Sequence, residues 1–290
     1  RRKMTSKLAR ALTHCVNEVR AKDAERFAAN LAAHKLARPA LFAAHAYNLE
    51  LAQIASKTSE PHIANMRFAW WRTALDAAER GAPPDHPVAL ALAHAIGTRD
   101  ITPRYLERLL DAREHDVGRT QPETIDELLR YCEHTAGALL LIGCEAAGVA
   151  DDAPSELAAT HAGIACALAT LLRGTAAHVS QGCTFIPAEV ASSHKLTLKA
   201  ALSGRPSAEL ASAVSELAAL ASAHLLSARS LRGQLSAASR TALVHTVPAE
   251  LILRNLQTAA YDVYAPHALA PLAPLSLRLR VGWHAWSGSY

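Results

Sequence analysis

Gly174 and His178 lie four residues apart in one stretch, Leu171 to Pro187, with Arg173 beside them. Side chains four residues apart share a helix face, so two carboxylates at that spacing aim at one metal cluster. Mg²⁺ takes hard carboxylate oxygens. Gly174 offers no side chain, and a His178 nitrogen suits zinc, copper or iron better than Mg²⁺. The stretch as written is expected to hold no Mg²⁺ cluster. Other chemically able side chains are Arg72, Arg113 and Arg173, because guanidinium groups grip a diphosphate bidentately without a metal. These three could line a residual anion pocket; alternatively each pairs with a carboxylate such as Asp76 or Asp111 and only stabilises its helices. His161, His178 and His194 form no HxxxH pair, so no metal site and no cofactor is expected. Glu133 and His134 could face a cavity, whereas Cys132 reads as a small buried hydrophobe.

The elements that must position these groups are helices. Helical periodicity marks 38–56, 63–79, 87–96, 103–113, 124–147, 154–177, 207–231 and 247–264. Pro61, Pro87, Pro103, Pro154 and Pro206 fall at or near the expected helix starts, where a missing N–H costs least. Turns are expected at Gly81 to Asp85 and Ala150 to Pro154, and a proline-rich wrapping loop at Ala265 to Leu277. Beyond it, Leu277, Leu279, Val281, Trp283 and Trp286 form a last helix or an extended tail. Of the adjacent Trp70 and Trp71, about 100° apart on a helix, at least one belongs in the core. Trp283 and Trp286, near Arg278 and Arg280, are candidates for a partner contact, with packing onto the body as the favoured reading.

Composition agrees with an all-α body: half of the 290 residues are hydrophobic, only 5% are aromatic, and no run alternates as a strand would. The net charge of +4 is spread along the chain, so nucleic-acid contact is allowed but not indicated. Five cysteines without a CxxC pair suggest neither a disulfide framework nor a zinc knuckle and favour a reducing compartment. No continuous apolar run reaches the roughly 20 residues that span a bilayer, so a soluble chain without a transmembrane segment is expected. Arg1, Arg2, Lys3, Lys7, Arg10, Arg20 and Lys22 face only Glu18, which resembles a mitochondrial presequence or its remnant. The alternative is an ordinary basic amphipathic helix on the surface.

Several segments together resemble the squalene and phytoene synthase family. Arg67-Phe68-Ala69-Trp70-Trp71-Arg72-Thr73-Ala74-Leu75-Asp76 is similar to its Arg-x-x-Trp-Trp-Arg-x-x-Leu-Asp helix. Leu110-Asp111-Ala112-Arg113-Glu114 is similar to its Ile-Asp-Ala-Arg-Glu helix, and Tyr131-Cys132-Glu133-His134-Thr135-Ala136-Gly137 to its Tyr-Cys-x-x-x-Ala-Gly motif. Leu41 to Ile54 resembles the helix that bears the first aspartate-rich motif; in that register the aspartates fall at Ala52, Gln53 and Ser56. The second motif falls in Leu171 to Pro187, with its aspartates at Gly174 and His178. The resemblance implies an isoprenoid-synthase-like helical bundle around a central cavity over residues 35–290, preceded by a basic N-terminal extension over 1–34.

Within the family the chain looks similar to the mitochondrial complex I assembly factors that carry this domain, through Asn48-Leu49-Glu50-Leu51-Ala52 and Arg173-Gly174-Thr175-Ala176-Ala177-His178. That resemblance implies a catalytically silent scaffold in the mitochondrial matrix. Its partners would be proteins of a large assembly intermediate, of respiratory complex I first and of the mitochondrial ribosome next, with rRNA contact or peripheral membrane contact as further expectations. The competing reading is a divergent prenyl transferase with a displaced metal site built from Glu50, Asp76, Asp111 or Glu133. A fold shared with enzymes does not decide between them.

Overall fold

The structure, a computed structural model, describes residues 2–58, 60–149 and 152–290, with the side chains of residues 2–5 outside the described set. Arg1 and the side chains of Arg2 and Lys3 therefore lie outside the described residues, as do Ala150 and Asp151 of the expected turn. The helices run α1 (Arg2–Lys22), α2 (Ala24–Ala32), α3 (Arg38–Lys57), α4 (Pro61–Glu79), α5 (Pro87–Arg99) and α6 (Pro103–His115). Then come α7 (Ile125–Cys132), α8 (Ala138–Ala146), α9 (Ala153–Arg173), α10 (Thr175–Ser180), α11 (Ala188–Ser193) and α12 (Leu198–Ala201). The last five are α13 (Ala208–Ser230), α14 (Ala237–Ala242), α15 (Thr246–Thr258), α16 (Pro266–Leu269) and α17 (Pro274–Ser287). Among the described residues there is no strand.

Sequence punctuation explains most boundaries. Pro61, Pro87 and Pro103 each occupy the first helical position, and the side chains of Asp23, Thr124, Thr197, Ser207 and Ser236 accept from backbone N–H groups as N-caps. The long segment expected over 124–147 is helical throughout, but a π turn at Glu133–Gly137 joins α7 to α8. The one expected over 154–177 breaks at Gly174 instead of running on. The one expected over 247–264 stops at Thr258, and the chain then turns through Ala260 and Tyr261, both with positive φ. The tail resolves as the helix α17, and the loop before it holds α16.

Two large apolar clusters make most of the core, and a small third one seats α17 on α2 and α15. Of the large two, one joins α1, α3, α4, α5, α6 and α8, and the other joins α7, α9, α13 and α15. They meet where α9 crosses the π turn. There a Cβ on Gly163 would stand 2.2 Å from the Gly137 Cα, so these backbones touch only because Gly163 lacks a side chain. α1 is amphipathic: Ala11, Cys15 and Val19, four residues apart, are buried against the body formed by α3 and α5. Burial pushes the Cys15 thiol up to about 12.

One sequence expectation needs correction. Ala153–Arg173 and Ala208–Gln234 are long enough, with a mean hydropathy of 1.3, to cross a membrane by length and composition. Interspersed Ser, Thr and His interrupt a continuous apolar run without lowering the mean below that level. Both helices spend apolar surface on each other, and α9 is a core helix, which meets the same measure.

Candidate functional site

A cavity of about 700 Å³ lies between α3, α6, α7, α9 and α10. Helix α3 presents Ala52 and Ser56 to it, α6 presents Arg108, Asp111 and Arg113, and α10 presents His178. Gln53 does not line it: its amide donates to the Leu49 carbonyl at 2.9 Å. The Ser56 hydroxyl donates back to the Ala52 and Gln53 carbonyls, both at 3.3 Å. The five positions expected to carry aspartates thus bring together Ala52, Ser56 and His178 at one cavity, and Gly174 sits just behind.

Gly174 and His178 are a matched pair. The imidazole folds back over the α9–α10 break, so that a Cβ at Gly174 would meet His178 Cε1 at 2.9 Å and the Thr170 carbonyl at 3.1 Å. The His178 ring also meets the Phe185 ring edge-on at 4.8 Å. Burial, helped by the Arg113 charge, lowers its pKa to about 4, so the ring is neutral at pH 7. A Mg²⁺ cluster needs several carboxylate oxygens. None of these five positions supplies one, and the donor set does not fit that ion. Among the described residues no three His, Cys, Asp or Glu side chains are grouped to hold a metal.

The buried charge of Arg113 is satisfied internally. Arg113 donates to Asn48 Oδ1 at 3.0 and 3.3 Å, to Asp116 Oδ2 at 3.2 Å and to the Tyr131 hydroxyl at 2.7 Å. Tyr131 in turn donates to Asp116 Oδ2 at 3.2 Å. Burial raises the Asp116 carboxyl above its ordinary value against the pull of Arg113. Arg108, Arg119 and Arg130 stand around the remaining wall, where His134 also lies but Glu133 does not.

The three arginines considered as one anion pocket are in three places. Arg113 is in the large cavity. Arg72 is half-exposed on α4 and donates to Asp111 and Glu114, both at 2.9 Å. Arg173 points away, into the smaller cavity of about 250 Å³, and clasps the Glu25 carboxylate with both Nη groups. The correction has a simple cause. Successive residues of α9 diverge by about 100°, so Arg173 and the cavity-lining Leu171 look into different spaces. Of the carboxylates proposed for a displaced metal site, only Asp111 reaches the large cavity, and Arg72 already holds it.

The smaller cavity contains a polar cluster that sequence reasoning missed. The two ends of the buried Asn30 amide lie 3.0 Å from His45 Nδ1 and 3.1 Å from His245 Nε2, while His245 Nδ1 stands 3.2 Å from the Ala242 carbonyl. Burial depresses both histidines, His245 to about 4. The Asn30 nitrogen faces His45 and can donate to its Nδ1, and the Asn30 oxygen faces His245 and can accept from its Nε2–H. The only local signal was an Asn beside Phe27, Ala28 and Ala29 on a buried helix face. Its partners are far away in sequence. Cys132 is fully buried and its thiol is pushed up by burial, as befits a hydrophobe and not a nucleophile.

The Squalene/phytoene synthase family model matches residues 19–286 of the chain. A Mus musculus protein named NADH dehydrogenase (ubiquinone) complex I, assembly factor 6 is 31% identical over 269 residues, covering 92% of this chain and 80% of the mouse protein. Among solved structures, a dehydrosqualene synthase in complex with ligand has a TM-score of 0.82 at 15% identity, covering 98% of this chain and 99% of that one. Squalene synthase HpnC from Alicyclobacillus acidocaldarius has a TM-score of 0.78 at 17% identity, covering 89% and 97%. Those two likenesses are of fold: all are helical isoprenoid-synthase bundles.

Proposed function

The chain belongs to the squalene/phytoene synthase family, and from that premise we propose that it is a catalytically silent member serving as an assembly factor of respiratory complex I in the mitochondrial matrix. The observation that carries the reading is the cavity wall itself: Ala52, Ser56 and His178 stand where ionising an allylic diphosphate needs Mg²⁺-holding carboxylates, with Gly174 filled over by the His178 ring. The assembly role is supported by the mouse relative, whose name is that of a complex I assembly factor. In this reading residues 35–290 form the synthase-like body, and residues 1–34 are a basic segment of which α1 and α2 lie against it. The body presents helix faces to an incomplete assembly and takes no prenyl diphosphate through a reaction.

Affinity purification of the tagged protein from mitochondria, followed by sedimentation and identification of co-migrating proteins and RNA, tests this. Co-migration with complex I subassemblies is the expected result. Co-migration with ribosomal proteins and rRNA would move the same silent scaffold to a different client. Incubation of the purified protein with farnesyl or geranylgeranyl diphosphate and Mg²⁺ is expected to release no diphosphate above background. Release that disappears on changing Asp111 would establish the prenyl transferase instead.

A further inference from the structure

Helix α17 carries two apolar faces, and only one of them is used. Leu277 and Val281 are buried against α2 and α15, in a cluster with Ala28, Ala29 and Val247. On the other side Leu275, Leu279, Trp283 and Trp286 are 73%, 67%, 63% and 79% exposed. At 100° per residue these four fall within about 80° of helix surface, so they form one stripe. The two indole rings lie 5.2 Å apart on it. A surface helix of a globular body normally shows one apolar stripe, toward the core. Four large exposed side chains in register on the outer face call for a partner.

The flanks say what kind. Arg278 and Arg280 fall about 100° to either side of the stripe's centre, and both are exposed. From Val263 to Tyr290 the chain contains no Asp or Glu. Packing against a second copy of α17 would face arginine with arginine across the seam, with no carboxylate on the helix to relieve them. An anionic lipid surface accepts the same pattern without conflict. Leucines and indoles enter the boundary between headgroups and acyl chains, while the two guanidinium groups reach phosphates on both sides.

We propose that the outer face of α17, made of Leu275, Leu279, Trp283 and Trp286 between Arg278 and Arg280, docks the protein onto an anionic membrane surface. The helix lies in the plane of the interface and does not span it. This inference does not rest on the assembly role, and a complex I contact made by a protein indifferent to lipid would overturn it alone.

Co-sedimentation of the full chain with phosphatidylcholine vesicles, and with equimolar phosphatidylcholine and phosphatidylglycerol vesicles, tests the proposal alongside tryptophan emission. Binding to the anionic vesicles is expected, with a blue-shifted emission and a weakening as salt is added. W283A/W286A is expected to lower the partition coefficient about tenfold or more. R280E is expected to lower it about fivefold. All three side chains are exposed, and an unchanged helical circular dichroism spectrum checks that the variants fold. Three results would overturn the proposal: no vesicle binding, equal binding by W283A/W286A, or a concentration-dependent dimer that W283A/W286A abolishes, which would make the occupant a second copy.

Discussion

The two cavities solve the same problem by opposite means. Each is a largely apolar space inside a helical body with polar groups in its wall, and each must satisfy those groups. In the large cavity the solution is ionic: the Arg113 guanidinium is matched by Asp116, Asn48 and Tyr131. In the small one the buried centre is neutral: Asn30 links two uncharged imidazoles, and the ion pairs, Arg173 with Glu25 and Arg26 with Asp23, stand at the wall. A charged network depends on every member, since losing one strands the rest. A neutral network is vulnerable to a proton instead.

The largest test of that contrast is Arg113→Met. It leaves Asp116 buried without its cation and is expected to lower unfolding free energy by about 3 kcal/mol at pH 7, read by denaturant melts. The loss should shrink in acid. Burial already raises the Asp116 pKa, removal of Arg113 raises it further, and a protonated Asp116 no longer needs a partner. A loss that stays the same down to pH 4 would show that Arg113 acts by packing alone.

Gly163→Ala probes the wall between the two core halves. Its Cβ would stand 2.2 Å from the Gly137 Cα, and backbone on both sides cannot yield as a flexible side chain would. The expected cost is about 3 kcal/mol, or failure to accumulate folded protein. Expression at parental stability would mean that the π turn can relax.

Acid should find the neutral side of the comparison. The folded pKa of His245 is about 4, below the ordinary 6.5, so the unfolded chain takes up the proton first. Stability is therefore complete above about pH 6.5 and falls as pH drops toward 4, by at most about 1.4 kcal/mol per pH unit for each such histidine. His178 contributes in the same direction and window. His245→Gln is expected to remove about half of the combined slope of these two histidines, measured by melts between pH 7 and pH 4.5. An unchanged slope would place the acid sensitivity elsewhere.

The smallest effect is a coupling. Gly174→Ala is expected to cost about 1 kcal/mol while the His178 ring lies over it, and less in a His178→Ala background, where only the contact with the Thr170 carbonyl remains. Additivity of the two changes would contradict the packing that makes these positions one unit.

Much of the fold was legible before any coordinates. Proline at the first turn and a 3.6-residue apolar period act within a few residues, so α3, α4, α5, α6 and α13 are found nearly to their ends. The small helices α11, α12, α14 and α16 were not, because four to six residues carry too little period to read. The favoured packing of Trp283 and Trp286 onto the body was also wrong, since α17 turns Leu277 and Val281 inward and sends both indoles out. Ala52, Ser56 and His178, singled out in two distant segments by their resemblance to a known pattern, line one cavity. The three arginines were not, as a shared residue type does not fix a shared direction.

By itself the sequence determined the helical class, the punctuation of the chain, and the absence of carboxylates at Ala52, Gln53, Ser56, Gly174 and His178. These depend on residue identity and local spacing. Only the tertiary structure decided that Asn30 meets His245 from 215 positions away, that Arg173 turns from one cavity to the other to reach Glu25, and that α17 keeps an apolar face in solvent. Each of these depends on which faces of distant helices come together. Side-chain direction in a bundle is set by the rotation of a helix about its own axis, and that rotation is fixed by the packing of the whole core.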